Sequence, residues 1–548
     1  MTAPLPRPLR ILLMGYGPVG ARFVEELLPT VAAGLAELTV VGAEPTDAYN
    51  RVLIAEYATG AADRERLEVT DTDAARAAGV RIRLGEAVTV VDRLRQRVVL
   101  DGGDELPYDR LVFATGARAN IPTLDGLERS RRDRRAVAGA AAALDHGAEP
   151  FPSGVVAMRD LRDAELTAPV VAAGGTIVVL GAGVLGMEFA LAAAARGADV
   201  VVVHHGSIPM ARNLDEHGGR MLAQATRTVG IGLAAHSRAE GVLVRYGDGA
   251  RRFDALLCAD GKTIPGDLLV LSCGVGARTE LAEASGLSCS AGILVDEELR
   301  SWNDPDVYAI GDCAQVASPD QADASGRVPG APSGLIGPGW RQAGELAARF
   351  AREAGARAEP EPAVTLGDRL PAVTRDSTVA ALTDRPPVVM LKAEGVDVVS
   401  GGEFDAEPWS NDGAEVSLWL DPARGGYVKT VVRDGALAGF VSVGMPRTGA
   451  ELTLLFESRG AMPADPSALL RLDAPAAVAH AHPDPLAPDA TVCWCNGVSV
   501  GRIIEAADAG SDTVECVGRA TRAGTGCGGC KGRIAEVLAA AGTASGGR

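Results

Sequence analysis

The last 56 residues hold five of the nine cysteines, and four of these form two close pairs. One residue separates Cys493 from Cys495, two separate Cys527 from Cys530, and 31 lie between the pairs. Four thiolates grouped in this way can surround one metal centre, and the spacing alone suits a structural zinc as well as an iron–sulfur cluster. Gly524, Gly526, Gly528 and Gly529 let the backbone curl so that amide hydrogens point at anionic sulfur. The second pair also precedes a helix whose positive end favours negative charge. These features suit a cluster without excluding zinc. Cys258, Cys273, Cys289, Cys313 and Cys516 fall into no motif and are expected to be small buried hydrophobes.

A second chemistry is written in glycine. Gly15-Tyr16-Gly17-Pro18-Val19-Gly20 follows an apolar strand expected at 10–14 and opens a helix expected at 21–28, and a second strand at 38–41 ends near Glu44. This is the dinucleotide fingerprint: the glycines allow a tight turn and close approach of a pyrophosphate, and the later acid accepts ribose hydroxyls. The pattern returns 166 residues later as Gly181-Ala182-Gly183-Val184-Leu185-Gly186, between a strand at 176–180 and a helix at 187–196, with a strand at 199–203. Two fingerprints imply two nucleotide sites; a duplicated scaffold with one dead site is the plainer alternative. In the second unit the place of the ribose-binding acid falls on His204, followed by His205, with Arg212 nearby. A His or a cation could accept a 2'-phosphate, and His204 could equally be an uncommitted strand-end residue, so the nucleotide is written NAD(P)H.

The elements that must position these residues give an α/β chain. Residues 111–117 read as a buried strand leading into a Thr115-Gly116 turn, and 307–313 as a strand ending in Gly311-Asp312. A helix runs to 352 and a Pro-, Glu- and Ala-rich stretch follows. Strands are then expected at 388–393, 415–420, 427–432 and 437–443, with Asp434-Gly435 as a hairpin turn. Residues 463–490 read as a semi-extended linker whose His480 and His482 are solvated. A helix at 501–509 lies between the cysteine pairs.

Composition sets the bounds. The 548 residues carry a formal charge of −18, which argues against a sequence-independent nucleic-acid binder. Residues 491–548 hold five acids and six bases, so the acidity belongs to the remainder. The apolar run at 11–14 leads straight into a glycine turn, and glycines with Glu188, Arg196 and Asp199 interrupt the apolar stretch 170–203. Neither a secretory leader nor a membrane span is expected. A reducing cytoplasm follows, where clustered cysteines favour metal chemistry over disulfides.

The order of first fingerprint, Ala114-Thr115-Gly116, second fingerprint and Gly311-Asp312 resembles the two-dinucleotide flavoprotein disulfide-reductase superfamily. That resemblance implies two Rossmann-like domains, the first for FAD and the second, inserted in it, for NAD(P)H. It places FAD-binding segments at 8–150 and 286–352 and the NAD(P)H domain at 151–285. An α+β interface domain follows at 363–460. The string Cys493-Trp494-Cys495-Asn496-Gly497-Val498-Ser499 with Thr521-Arg522-Ala523-Gly524-Thr525-Gly526-Cys527-Gly528-Gly529-Cys530-Lys531 resembles the bacterioferritin-associated-ferredoxin-like domain. It implies a small helical 2Fe-2S domain at 491–540 with Cys493, Cys495, Cys527 and Cys530 as ligands. By the first resemblance Gly15, Gly17, Gly20, Glu44, Thr115, Gly116 and Asp312 bind FAD, with Arg51 facing the flavin or its phosphates. Gly181, Gly183, Gly186, His204 and Gly274 bind NAD(P)H, and Glu188 lies near the nicotinamide. Disulfide reductases of this superfamily need a redox cysteine beside the flavin, and residues 1–257 contain none.

Residues 42–45 and 48–53, with 210–215, 273–275 and 334–340, are similar to blocks of the assimilatory nitrite reductase large subunit and nitrate reductase electron-transfer subunit group. The resemblance implies NAD(P)H oxidation through FAD and the cluster to a protein acceptor, a molybdenum nitrate reductase catalytic subunit being favoured. Because eighteen residues follow Cys530, no siroheme portion and no nitrite reduction on this polypeptide are expected. A stand-alone reductase for a ferredoxin, an oxygenase or a separate nitrite reductase subunit is the alternative. A redox-sensing or iron-storage interaction protein is a third reading. Homodimerisation is left open.

Overall fold

A computed structural model describes residues 7–127, 151–247, 250–323, 328–358, 388–393, 395–409, 412–460, 462–463, 465–473, 486–488, 490–493, 496–525 and 528–545. Two parallel-centred sheets dominate. The first has eight strands, and its order interleaves two distant stretches of chain: Ala314–Val316, Ile293–Val295, Arg300–Ser301, Asp304–Ala309, Arg110–Phe113, Leu9–Met14, Ala36–Gly42 and Arg81–Leu84. The second has five: Gly232–Ala234, Asp199–Val203, Thr176–Leu180, Leu268–Leu271 and Val155–Val156. One Rossmann-like unit is therefore inserted in the other, as the α/β reading expects. Each unit also carries a three-stranded antiparallel sheet, Val88–Asp92 with Arg97–Leu100 and Glu105–Pro107 in the first, and Ala239–Gly247 with Ala250–Cys258 and Thr263–Pro265 in the second.

The strands form where the apolar runs predict. Leu9–Met14 pairs in parallel with Ala36–Gly42 on one side and Arg110–Phe113 on the other, and its Ile11, Leu12 and Leu13 are fully buried. A strand covered on both faces reads as a continuous apolar run. The helix Pro18–Ala32 starts with Pro18 in its first turn, where the missing N–H is no loss, and buries Phe23, Val24 and Leu27. It runs beyond the expected 21–28. The C-terminal helix of this unit likewise extends to Ala358 and brings Phe350 edge-on to Phe23 at 6.0 Å.

Downstream, five antiparallel strands form a sheet in the order Val389–Ala393, Val396–Gly402, Ala436–Val443, Gly426–Arg433 and Glu415–Asp421. The Asp434-Gly435 turn has φ values of 51° and 77°, the doubly left-handed turn that matches strand twist. Val396–Gly402 adds a strand beyond the four expected from the sequence. The sheet locks onto the second Rossmann-like unit through a buried polar knot: Tyr427 Oη donates to Asp215 Oδ2 (2.5 Å), and Lys429, 3% exposed, reaches the same oxygen at 3.4 Å and donates to the Phe404 carbonyl at 2.6 Å. Asp215 also caps the helix Glu216–Thr228. Residues 465–473, expected within an extended linker, instead make two short helical turns. Leu469 enters the core of this domain, and Asp473 accepts from the amides of Arg447 and Thr448 at the start of the helix Pro446–Ser458. His480 and His482 lie outside the described residues.

The last module pairs Thr491–Cys493 with Val498–Ser499 and packs three helices, Val500–Asp508, Val514–Thr521 and Lys531–Ser545. Among the described residues no helix is long and apolar enough to cross a membrane.

The fingerprint turns fix how helix meets sheet. A Cβ on Gly20 would lie 2.4 Å from the Gly15 carbonyl oxygen, whereas one on Gly17 would meet nothing nearer than Arg51 Nε at 4.0 Å. Gly20→Ala is therefore expected to destabilise the protein by about 1–3 kcal/mol through overpacking, and Gly17→Ala by well under 1 kcal/mol. Denaturant unfolding of the two variants checks this, and equal losses would contradict it.

Candidate functional site

A large cavity of about 1330 Å³ opens at the carboxyl ends of the first sheet. That exceeds the roughly 300–1,000 Å³ of ordinary small-molecule sites and suits an extended dinucleotide. The first fingerprint forms one wall. Gly15 takes φ +105°, and a Cβ there would lie 2.2 Å from the Ala114 carbonyl oxygen, so glycine is required. The second fingerprint repeats the geometry: Gly181 at φ +117° would meet the Ser272 carbonyl oxygen at 2.1 Å, and Gly186 the Gly181 carbonyl oxygen at 2.2 Å. The middle glycine, Gly17 or Gly183, faces open space in both turns, at the N-terminal end of a helix. That is the cradle a pyrophosphate needs, and it fits FAD at the first site and NAD(P)H at the second.

Of the residues singled out in the sequence, Gly15, Gly17, Gly20, Glu44, Arg51, Thr115, Gly116, Asp312 and Glu188 all line this cavity. Glu188 reaches it from the helix Val184–Ala195 of the inserted unit and is buried. Glu44 is held from two sides: Tyr49 Oη donates to its Oε2 at 2.9 Å, and Arg51 pairs with its Oε1. Arg51 also stacks over the Tyr49 ring, 4.9 Å from its centroid. Thr115 Oγ1 donates to the Arg278 carbonyl at 3.2 Å, and the Arg278 amide donates to the Gly116 carbonyl at 3.0 Å, where Ala117–Ala119 pairs with Val275–Ala277.

Gly181, Gly183, Gly186 and Gly274 stand outside this cavity's lining, at the carboxyl end of the second sheet. Gly274 takes φ +86°, and its carbonyl accepts from the Asn120 amide. His204 is buried rather than presented at the surface, and Nε2 has no hydrogen-bond partner among the described residues. Burial, then His205 and His236, hold its pKa below the ordinary histidine value, which favours the neutral imidazole. The exposed side chains at that strand end are His205 and Arg212, both noted in the sequence.

Two arginines escaped the sequence reading. Arg159 Nη2 pairs with Asp312 Oδ2 at 3.0 Å, and its Nε donates to the Ala117 carbonyl at 3.3 Å. Arg278 lines the cavity too, its pKa lowered to about 10 by burial and then by repulsion from Arg51 and Arg118. Crowded, partly buried guanidinium groups around one cavity are the electrostatic counterpart of a diphosphate. Neither arginine belongs to a motif, although Arg159 stands one residue before the helix-capping Asp160.

Cys493 and Cys530 line the same cavity, from the C-terminal module. Cys493 is buried, and its thiol is held below the ordinary cysteine range first by the hydrogen bond with Cys530; burial opposes this, and the amides of Gly524 and Asn496 support it. Asn496 Nδ2 lies 3.7 Å from its sulfur. Thiolate stabilisation by backbone N–H groups fits an iron–sulfur ligand. Cys495 and Cys527 lie outside the described residues, and among those described no three candidate ligands converge. Of the five bystander cysteines, Cys258 and Cys313 are buried, while Cys273, Cys289 and Cys516 are partly buried. Burial pushes Cys273 up to about 11 and Cys289 up to about 12, which suits inert thiols.

Asp163 fixes the backbone that carries Arg159. It accepts from the amides of Arg159 (2.8 Å) and Asp160 (3.2 Å) and is raised from 3.8 to about 7 by burial first and by Asp160 second. A raised carboxyl contributes stability that is fully present below its unfolded value and is lost as pH rises through its folded value. Asp163→Asn, which stays neutral, should therefore gain stability relative to the parent between pH 3.8 and about 7 and hold it above. Unfolding midpoints of both proteins at pH 4.5 and pH 8 test this; an unchanged difference would refute it.

Comparison with known proteins agrees with this geometry. The family model for pyridine nucleotide-disulphide oxidoreductases matches residues 9–328, and that for the BFD-like [2Fe-2S] binding domain matches residues 491–540. The chain is 30% identical over 538 residues to the nitrite reductase [NAD(P)H] large subunit of Klebsiella oxytoca, covering 96% of this chain and 48% of that protein. It is 26% identical over 530 residues to the assimilatory nitrate reductase electron transfer subunit of Bacillus subtilis (strain 168), covering 96% and 59%. It thus spans about half the length of the curated relatives it matches. Among solved structures, the covalent putidaredoxin reductase–putidaredoxin complex shares the fold with a TM-score of 0.63 and 21% identity, over 84% of this chain and 95% of that one. The chain belongs to the pyridine nucleotide-disulphide oxidoreductase family, as an FAD- and NAD(P)H-dependent member that carries a BFD-like 2Fe-2S domain.

Proposed function

We propose that this oxidoreductase is the electron-transfer component of an assimilatory nitrate reductase, delivering electrons from NAD(P)H to a separate molybdenum-containing catalytic subunit. The observation that carries the reading is the shared cavity: the first fingerprint, Glu188 and the cysteines Cys493 and Cys530 open onto one space. The likeness to a nitrate reductase electron transfer subunit over 96% of the chain supports it. When bound, FAD accepts a hydride from NAD(P)H and releases electrons singly, the conversion that a one-electron 2Fe-2S centre requires.

The chain's own residues bind, orient and exclude water. In this reading Gly15, Gly17 and Gly20 seat the FAD pyrophosphate against the helix Pro18–Ala32. Glu44, held by Tyr49 and Arg51, meets the adenosine ribose. Thr115, Gly116 and Asp312 hold the middle of the cofactor, with Arg159 orienting Asp312. Gly181, Gly183 and Gly186 seat the pyrophosphate of NAD(P)H, Gly274 shapes the adjoining turn, and Glu188 stands at the nicotinamide. Cys493, Cys495, Cys527 and Cys530 hold the cluster. Hydride transfer needs no general acid or base, and the absence of cysteine from residues 1–257 speaks against disulfide reduction.

A second reading, in which the electrons go to nitrite, is favoured by the 30% identity to a nitrite reductase large subunit. Reconstitution decides between them. The purified protein should support NAD(P)H-dependent nitrate reduction when mixed with a molybdenum nitrate reductase catalytic subunit; reduction of nitrite by added nitrite reductase alone would favour the second reading. Cys530→Ser should leave NAD(P)H-dependent flavin bleaching unchanged and abolish partner reduction, and equal loss of both would overturn the electron order.

A further inference from the structure

The C-terminal module keeps its apolar core to itself. Val492, Val500, Ile503, Val517, Ile534 and Val537 bury one another, and among the described residues none before Ala490 joins them. An ion pair reaches across to the flavin-binding unit: Arg522 Nη1 lies 3.1 Å from Glu26 Oε1 and 4.0 Å from Glu25 Oε2, without hydrogen-bond alignment.

Both ends of this pair are tied to functional elements. Glu26 Oε1 also accepts from Arg22 Nε at 3.0 Å, and the Arg22 guanidinium lies 5.9 Å from the centre of the Trp340 ring. Trp340 Nε1 donates to the Pro18 carbonyl at 3.2 Å, in the first turn of the fingerprint helix. On the other side, Arg522 ends the helix Val514–Thr521 at φ +67°, a conformation that favours glycine. Its carbonyl accepts from Asn496 Nδ2 at 2.8 Å, the same group that faces Cys493 Sγ. An arginine kept in a left-handed position between the cysteine loops points to a use for its side chain.

We propose that Arg522 and Glu26 form a latch that holds the cluster module over the flavin cavity, making them positioning residues for transfer between the two cofactors. The inference rests on the electron order proposed above. The two side chains are 33% and 30% exposed, so salt weakens the pair and the module can leave the cavity to meet an acceptor. Interfaces of this polar kind permit relative domain motion, whereas a shared apolar core does not.

The test uses the full chain loaded with FAD and iron. Glu26→Lys lies outside the module and leaves its cluster loops intact; iron content and NAD(P)H-dependent flavin bleaching should match the parent. Small-angle scattering should show a larger radius of gyration, and cluster reduction, followed by its paramagnetic signal, should slow by about threefold or more. The exchanged pair Glu26→Arg with Arg522→Glu should restore both, which a merely structural role would not do. A Glu26→Lys protein with the parent's scattering profile and cluster reduction rate would overturn the latch. If NAD(P)H fails to reduce the cluster of the unaltered protein, the electron order falls instead, and scattering alone then decides whether the latch exists.

Discussion

A backbone contact organises the flavin-binding half. The Gly15 Cα closes on the Ala114 carbonyl, and Gly20 closes on the carbonyl of Gly15, at distances that leave no room for any side chain. These contacts set the helix Pro18–Ala32 tightly against the strands Leu9–Met14 and Arg110–Phe113. With the helix so placed, its N-terminal end opens at the cavity, and Phe23 and Leu27 cover the sheet. Glu25 and Glu26, two turns further on, then come within reach of the C-terminal module. One helix thus serves the cofactor at one end and the module along its side.

The inserted unit repeats this construction with Gly181, Ser272 and Gly186, but its surroundings differ. The first site is edged by Arg51, Arg159 and Arg278, with Glu44 and Asp312 already engaged by two of them. The second has a buried His204 where an acid is usual, with His205 and Arg212 exposed nearby. A resident cofactor and a diffusing nucleotide make different demands. A collar of guanidinium groups around one diphosphate suits a ligand that stays bound.

Much of this was legible in the sequence because its signals are local. Glycine spacing, apolar runs of four to six residues and the Asp434-Gly435 turn each act over a few residues, and the strands Thr176–Leu180 and Asp199–Val203 fall where the periodicity predicts. The missed features are those set by distant partners. Arg159 earns its place from Asp312, 153 positions away, and Arg278 from a cavity shared with Arg51. Val396–Gly402 is strand because Ala436–Val443 offers it a ladder. Residues 465–473 fold back because Leu469 finds an apolar pocket and Asp473 finds two free helix amides. His204 shows the same dependence: its position along the strand is that of a ligand-facing acid, and the packing of the inserted unit buries it.

The self-contained core of the C-terminal module bears on how the protein is assembled. Among the described residues, Ile503, Val517 and Ile534 bury one another without help from the sheets upstream. A core that closes on its own residues meets the ordinary criterion of a separate domain, so the packing of this module is not tied to the packing of the flavin-binding sheets.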